Sequence, residues 1–177
     1  GYLSQSSIDP SSHSESSIKE MTRRLIHRGP DSEGFWRDCD AGIVMGFRRL
    51  AILDVSSNGN QPMISNSGQY VLVFNGEIYN HLALRREISS IKPNYQWLSS
   101  SDTETLLSGF ELWGIEKTIQ KCTGMFGFSV WCNKNKVLTL GRDRLGEKPV
   151  YYGWQGAPHD EIFLFGSELK SFHNHPG

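Results

Sequence analysis

Tyr70-Val71-Leu72-Val73-Phe74-Asn75-Gly76-Glu77 is the stretch on which the fold turns. Five consecutive apolar, β-branched and aromatic residues predict a strand buried on both faces and not a solvent-facing edge. The run stops at Asn75-Gly76-Glu77, which puts an amide side chain and a glycine N–H at a strand end. Two such donors can hold the oxyanion that forms when an amide carbonyl is attacked. The same dipeptide is also the commonest tight-turn pair, which would lead into a hairpin. The next segment has a helical pattern instead, with Leu82, Leu84 and Ile88 spaced by Arg85, Arg86 and Glu87 over about 80–90 and a break before Pro93.

Upstream, 56–69 reads as a polar loop, and 43–53 as two strands or one bent strand interrupted by Arg48-Arg49. Ile18, Met21 and Leu25 predict a helix over about 16–26, stopped by the sharp turn of His27-Arg28-Gly29-Pro30-Asp31. Downstream, Ser101-Asp102-Thr103-Glu104 precedes Leu106, Leu107, Phe110 and Trp113, a capping box expected to satisfy two otherwise orphan amides. Residues 125–132 and 137–140 flank a turn at Asn133-Lys134-Asn135, and 150–154 and 162–165 make a second hairpin. From Glu168 onward the chain is too short for a full helix. About three helices and six or more strands predict an α+β layered domain with a largely antiparallel sheet component.

The chain has 177 residues, 37% hydrophobic and 21% charged, the composition of one soluble domain. Eighteen basic against nineteen acidic side chains leave a net charge of −1, without the footprint of a nucleic-acid or anionic-membrane surface. Cys39, Cys122 and Cys132 lie far apart with no C-x-x-C spacing, against a disulfide framework or a thiolate zinc site. No apolar run of about 18 residues and no basic-then-apolar start occurs, so a cytoplasmic protein is expected. His27 and His81 lack metal-ligand spacing, so no metal site is proposed. The G-x-S-x-G elbow and the glycine-rich nucleotide loops are absent from the sequence.

Two charged positions have two readings each. Asp102, in the first turn of its helix, can receive a ligand ammonium or simply complement the helix dipole. Arg49 can clamp a carboxylate in a bidentate fork or be structurally paired. Arg28 with Asp31 is expected to hold the turn at Gly29-Pro30, and Arg142-Asp143 to form a structural ion pair and turn before Leu145-Gly146.

HRGPD at 27–31, RLAILD at 49–54, NGEIYN at 75–80, SDTE at 101–104, GMFGF at 124–128, GRDRLGEKPVYY at 141–152 and SELK at 167–170 occur in one order. This set resembles the glutaminase domain of glutamine-hydrolysing asparagine synthetases, class II amidotransferases of the N-terminal-nucleophile hydrolase fold. The resemblance implies a four-layer αββα sandwich with antiparallel sheets. It implies a glutaminase domain over 1–170 with its first strand incomplete, and a linker stub at 171–177 towards a synthetase domain. Such an enzyme hydrolyses glutamine to glutamate and ammonia, and the ammonia passes to an acceptor carboxylate activated by ATP, with magnesium, in that second domain. No cofactor is expected in the glutaminase domain itself. Glutamine, the synthetase domain and a second copy in a homodimer are the implied partners.

By motif matching, Arg49 would meet the glutamine α-carboxylate, with Leu50, Ile52 and Leu53 lining the pocket or bonding through their backbone. Asp102 would hold the α-ammonium, Glu77 would assist it, and Asn75 with Gly76 would form the oxyanion hole. In the family the nucleophile is an N-terminal cysteine whose own α-amine serves as base. Here the chain opens Gly1-Tyr2-Leu3, and none of the three cysteines matches that position. The expectation is that both ends are cut and that these residues alone are inactive. The alternative is a glutamine-binding or regulatory domain that lacks the cysteine by nature.

Overall fold

The structure, a computed structural model, describes residues 1–4, 12–50, 57–156 and 161–173. Nine strands and four α-helices lie among them: β1 (Tyr2–Ser4), α1 (Ser12–Arg23), β2 (Ser32–Asp38), β3 (Ile43–Arg49), β4 (Met63–Ile64), β5 (Tyr70–Ile78), α2 (His81–Ile91), α3 (Asp102–Trp113), α4 (Ile115–Lys121), β6 (Gly124–Cys132), β7 (Val137–Arg142), β8 (Tyr151–Gln155) and β9 (Ile162–Gly166). Every strand pair is antiparallel. The chain divides into two compact units, 1–50 with 149–177, and 51–148.

The first unit is a five-stranded sheet in the order β2-β3-β1-β9-β8. Ile18 and Met21 lie on one face of α1 and pack with Tyr2, Val44 and Leu164. Phe172 joins that cluster and Ser171 is buried, so packing continues past the expected boundary at 170. The second unit is the four-stranded sheet β4-β5-β6-β7. Leu106, Leu107 and Phe110 of α3 pack with Leu72, Phe74 and Ile78 of β5 and Phe126, Phe128 and Val130 of β6. Each such burial contributes about 1.5–3 kcal/mol, which is what holds α3 to the sheet.

Several expectations shift. The strand beginning at Tyr70 does not stop at Asn75 but runs through Ile78, because Asn75, Gly76 and Glu77 stay paired with Gly127, Phe126 and Met125. The first helix ends at Arg23 and gives way to a 3-10 turn, Ile26–Arg28. The 43–53 segment is one strand to Arg49, and 51–56 lies outside the described residues. The polar loop holds a 3-10 turn, Ser57–Gly59, and β4. Strand β2 and helix α4 have no counterpart among the expected elements. Both expected hairpins are present as the β6–β7 and β8–β9 pairs.

Candidate functional site

The open edge of β5 shows where chemistry can happen. Residues of an antiparallel strand point their N–H and C=O groups alternately to the two sides. Phe126 directs both its N–H and its C=O towards Asp143, at 3.2 and 2.7 Å, so its partner Gly76 is not hydrogen-bonded to β6. The even-numbered residues of β5 therefore face the β4 side. There Tyr70 N–H donates to Ser65 Oγ at 3.1 Å and Leu72 pairs with Met63. Beyond the end of β4, side chains replace the strand. Phe74 N–H donates to Gln61 Oε1 at 2.6 Å, and Ile78 N–H donates to Asp102 Oδ2 at 2.8 Å. Gly76 N–H lies between these two, and no side chain among the described residues takes it up.

Asn75 adds a second donor. Its side chain is half-buried and has no hydrogen-bond partner among the described residues, and Gly127 stands opposite it with no side chain to fill the space. Only glycine fits at 76, since a Cβ there would strike the Met125 carbonyl oxygen and come within 2.6 Å of Phe126 Cα. The strand rise puts Gly76 and Ile78 roughly 7 Å apart along this edge. An unfilled N–H and a buried carboxylate are thus held at a fixed spacing by one strand.

Asp102 is 5% exposed. Burial pushes its carboxyl above the usual aspartate range, opposed by the N–H groups of Ile78 and Thr103 and by His81. The Nδ1 atom of His81 is itself buried with no partner among the described residues. Glu77 is half-buried on β5, and its negative charge adds to the rise at Asp102. The carboxylate has backbone donors, and no lysine or arginine pairs with it among the described residues. Ser101 caps α3 as expected, its Oγ accepting from Glu104 N–H at 3.2 Å, but the reciprocal half of the box is missing. The Glu104 side chain turns to Leu98 and Ser99 instead.

Arg49 belongs to the first unit, where it closes β3 opposite Ser32 and is buried at 9% exposure. Its carbonyl accepts from Asp31 N–H at 3.0 Å. Leu50, the next residue, is exposed, while Ile52 and Leu53 lie outside the described residues. The Gly29-Pro30 turn is held differently from the expectation. Arg48, not Arg28, bonds it, through Nε to the Gly29 carbonyl at 2.8 Å, because Gly29 packs directly on the Arg48-Arg49 backbone. Arg28 reaches Glu168 at 2.9 Å, alongside His27 at 3.0 Å. Arg142 and Asp143 form the expected turn without pairing, since Arg142 bonds the Gly146 carbonyl.

None of the three cysteines is a disulfide partner. Cys122 is buried, and desolvation pushes its thiol up to about 12, which makes it inert as a nucleophile. No cluster of metal-ligating side chains is found among the described residues, and no helix there is long and apolar enough to cross a membrane.

Comparison with known proteins identifies the family. The glutamine amidotransferase domain family model matches residues 4–177. The chain belongs to the glutamine amidotransferase domain family. It is 39% identical over 171 residues to asparagine synthetase (glutamine-hydrolyzing) 1 of Bacillus subtilis (strain 168), covering 97% of this chain and 26% of that one. It is 36% identical over 164 residues to asparagine synthetase (glutamine-hydrolyzing) 3 of Arabidopsis thaliana, covering 93% of this chain and 26% of the relative. The chain thus spans about a quarter of the length of these relatives. Among solved structures it shares the fold of glutamine phosphoribosylpyrophosphate amidotransferase from B. subtilis, with a TM-score of 0.61 at 20% identity over 76% of this chain and 29% of that one.

In this amidotransferase domain the second unit brings Asn75, Gly76, Glu77 and Asp102 to one strand end. Sequence reasoning missed Gln61, which is buried and links the Phe74 N–H to Thr103 Oγ1 at 3.4 Å. The only trace of it in the sequence is a glutamine before a proline inside an otherwise polar loop.

Proposed function

We propose that this chain is the glutamine-hydrolysing part of an amidotransferase. The observation that carries the reading is the β5 edge, where Gly76 N–H has no partner among the described residues and lies between amides capped by Gln61 and Asp102. A substrate carbonyl oxygen at that N–H, with the Asn75 amide beside it, becomes an oxyanion stabilised by two fixed donors. A buried carboxylate short of a cation is suited to an α-ammonium. An amino acid with a side-chain amide offers both groups at once, with a few bonds between them.

The remaining roles come from the family resemblance. Arg49 reads the α-carboxylate, with Leu50, Ile52 and Leu53 beside it, and Glu77 assists at the amino group. An N-terminal cysteine of the parent protein attacks the amide carbon, ammonia leaves with the proton from the thiol, and water releases glutamate from the thioester. The parent protein would use the ammonia on an acceptor activated by ATP and magnesium elsewhere in its chain, as a cytoplasmic enzyme able to form a homodimer.

The test is glutamine turnover by the parent protein and its Asn75→Ala variant. Loss of about 10²- to 10³-fold in kcat with little change in KM is expected for removal of one oxyanion donor. An unaltered kcat would remove Asn75 from the site, and glutamine binding without turnover by the unmodified protein would leave a binding domain instead.

A further inference from the structure

We infer that Asp143 is a positioning residue for the oxyanion donors, clamping the residue opposite Gly76 from the far side of β6. The inference rests on the reading of Asn75 and Gly76 given above.

Strand β7 ends at Arg142, paired with Gly127, which is the partner of Asn75. One residue further on, Phe126 would lose its neighbour. Asp143 supplies one with both its backbone and its side chain. Its N–H donates to Phe126 O at 2.7 Å, and its Oδ2 accepts the Phe126 N–H at 3.2 Å. A side chain here stands in for the strand that has ended.

The same carboxylate is fixed on its other side. Oδ2 also accepts from Lys148 N–H at 3.1 Å, while Oδ1 accepts from Leu145 at 3.1 Å and Glu147 at 2.9 Å. Burial on its own would raise the carboxyl, but the amides of Glu147, Lys148 and Phe126 outweigh it and bring it down to about 2. The group stays charged throughout the working range of a protein. Arg144 anchors the turn from outside, through Cys122 O at 3.2 Å and Gln120 O at 3.3 Å. Asp143 is therefore a fixed post.

What the post controls is the seat of Gly76. A Cβ on Gly76 would strike Met125 O and come within 2.6 Å of Phe126 Cα and 2.8 Å of its Cβ, so the two backbones are packed without slack and a shift of Phe126 moves the Gly76 N–H with it. Gly76 has no ladder bond of its own to resist such a shift, because its N–H and C=O face the open edge. A small displacement of an oxyanion donor reduces rate without changing how the ammonium is bound.

The experiment uses the parent protein with Asp143→Ala and the milder Asp143→Asn, counting active sites with an electrophilic glutamine analogue. The expected result is a kcat per titrated site reduced about 10- to 100-fold in Asp143→Ala, with KM for glutamine within about twofold and Asp143→Asn in between. Fewer titrated sites with unchanged kcat per site would show a merely structural role and overturn the inference, as would a parallel rise in KM. Amide hydrogen exchange of the unsubstituted protein is the second measurement. Phe126 N–H should be protected as strongly as the Phe128 ladder amide, and exchange at the rate of an exposed loop would overturn the clamp. If the unsubstituted protein turns over no glutamine, the proposed function falls and takes this inference with it. Turnover with Asp143 variants at full kcat overturns this inference alone.

Discussion

Asp102 and Glu104 stand two residues apart on the first turn of α3, almost equally buried at 5% and 6% exposure, and their surroundings treat them in opposite ways. Glu104 accepts from Leu98 N–H at 2.9 Å, Ser99 N–H at 2.7 Å and Ser99 Oγ at 2.8 Å. It also has a cation, Arg85, at 3.5 Å, whose guanidinium lies 4.1 Å from the centre of the Trp97 ring. Asp102 has the Ile78 N–H and, among the described residues, no cation of comparable reach, so burial drives its carboxyl upwards. A buried carboxylate with its own donors and counter-ion is part of the framework. One that lacks the counter-ion is ready to receive it from a ligand.

The largest effect that separates the two is on stability. Glu104→Ala removes the carboxylate shared by Leu98 N–H, Ser99 N–H, Ser99 Oγ and the Arg85 guanidinium, which keeps its bonds to Thr105 Oγ1 and the Ser101 carbonyl, and urea unfolding should show a loss of about 3–5 kcal/mol. A loss below about 1 kcal/mol would break the comparison by making Glu104 dispensable. Next comes Asp102→Asn, which keeps an acceptor for Ile78 N–H and removes the charge. Its effect should appear as weaker glutamine binding by about 1.5–3 kcal/mol, a KM roughly 10- to 150-fold higher in the parent protein. An unchanged KM would place Asp102 with Glu104 in the framework. Smaller again, Trp97→Ala removes the face on which Arg85 rests and should cost about 0.5–2 kcal/mol of stability with no change in KM.

The sequence alone distinguishes these two carboxylates only in part. Both are acidic residues in a first helical turn, where a dipole argument applies equally to each. A capping box has Glu104 reach back to the Ser101 N–H, but Leu98 and Ser99 present nearer donors in the turn before the helix, and Ser99 Oγ takes the Ser101 N–H. The Tyr70–Ile78 strand is legible over its first five residues because an unbroken β-branched and aromatic run reports burial directly. Its extension through Asn75 and Gly76 depends on pairing with β6, some fifty residues away in sequence. Ser32–Asp38 is illegible as a strand because its composition is polar and its one large outward apolar residue, Phe35, is 37% exposed. Helix α4, seven residues long, is too short for periodicity to register. Gln61 and Asp143 escape detection as supports for the same reason, since the amides they hold belong to strands that no local pattern connects to them.

The smallest effect is also the sharpest discriminator, because its sign differs between affinity and stability. In the ligand-free fold burial raises the Asp102 carboxyl above its unfolded value, so the protonated form is the one the fold favours. That contribution is fully present below the ordinary aspartate range and is lost as pH rises through the raised value. At neutral pH the ionised carboxylate is therefore a burden on the empty domain, and Asp102→Asn lifts it. Without glutamine, the Asn variant should melt higher than the unsubstituted chain at pH 7, by on the order of 1 °C. The gap should close as pH falls below the ordinary aspartate range, where both side chains are neutral. A variant that binds glutamine more weakly yet melts higher is what a site held open for a cation requires; a variant that melts lower at pH 7 would show that Asp102 already has its counter-charge inside the fold.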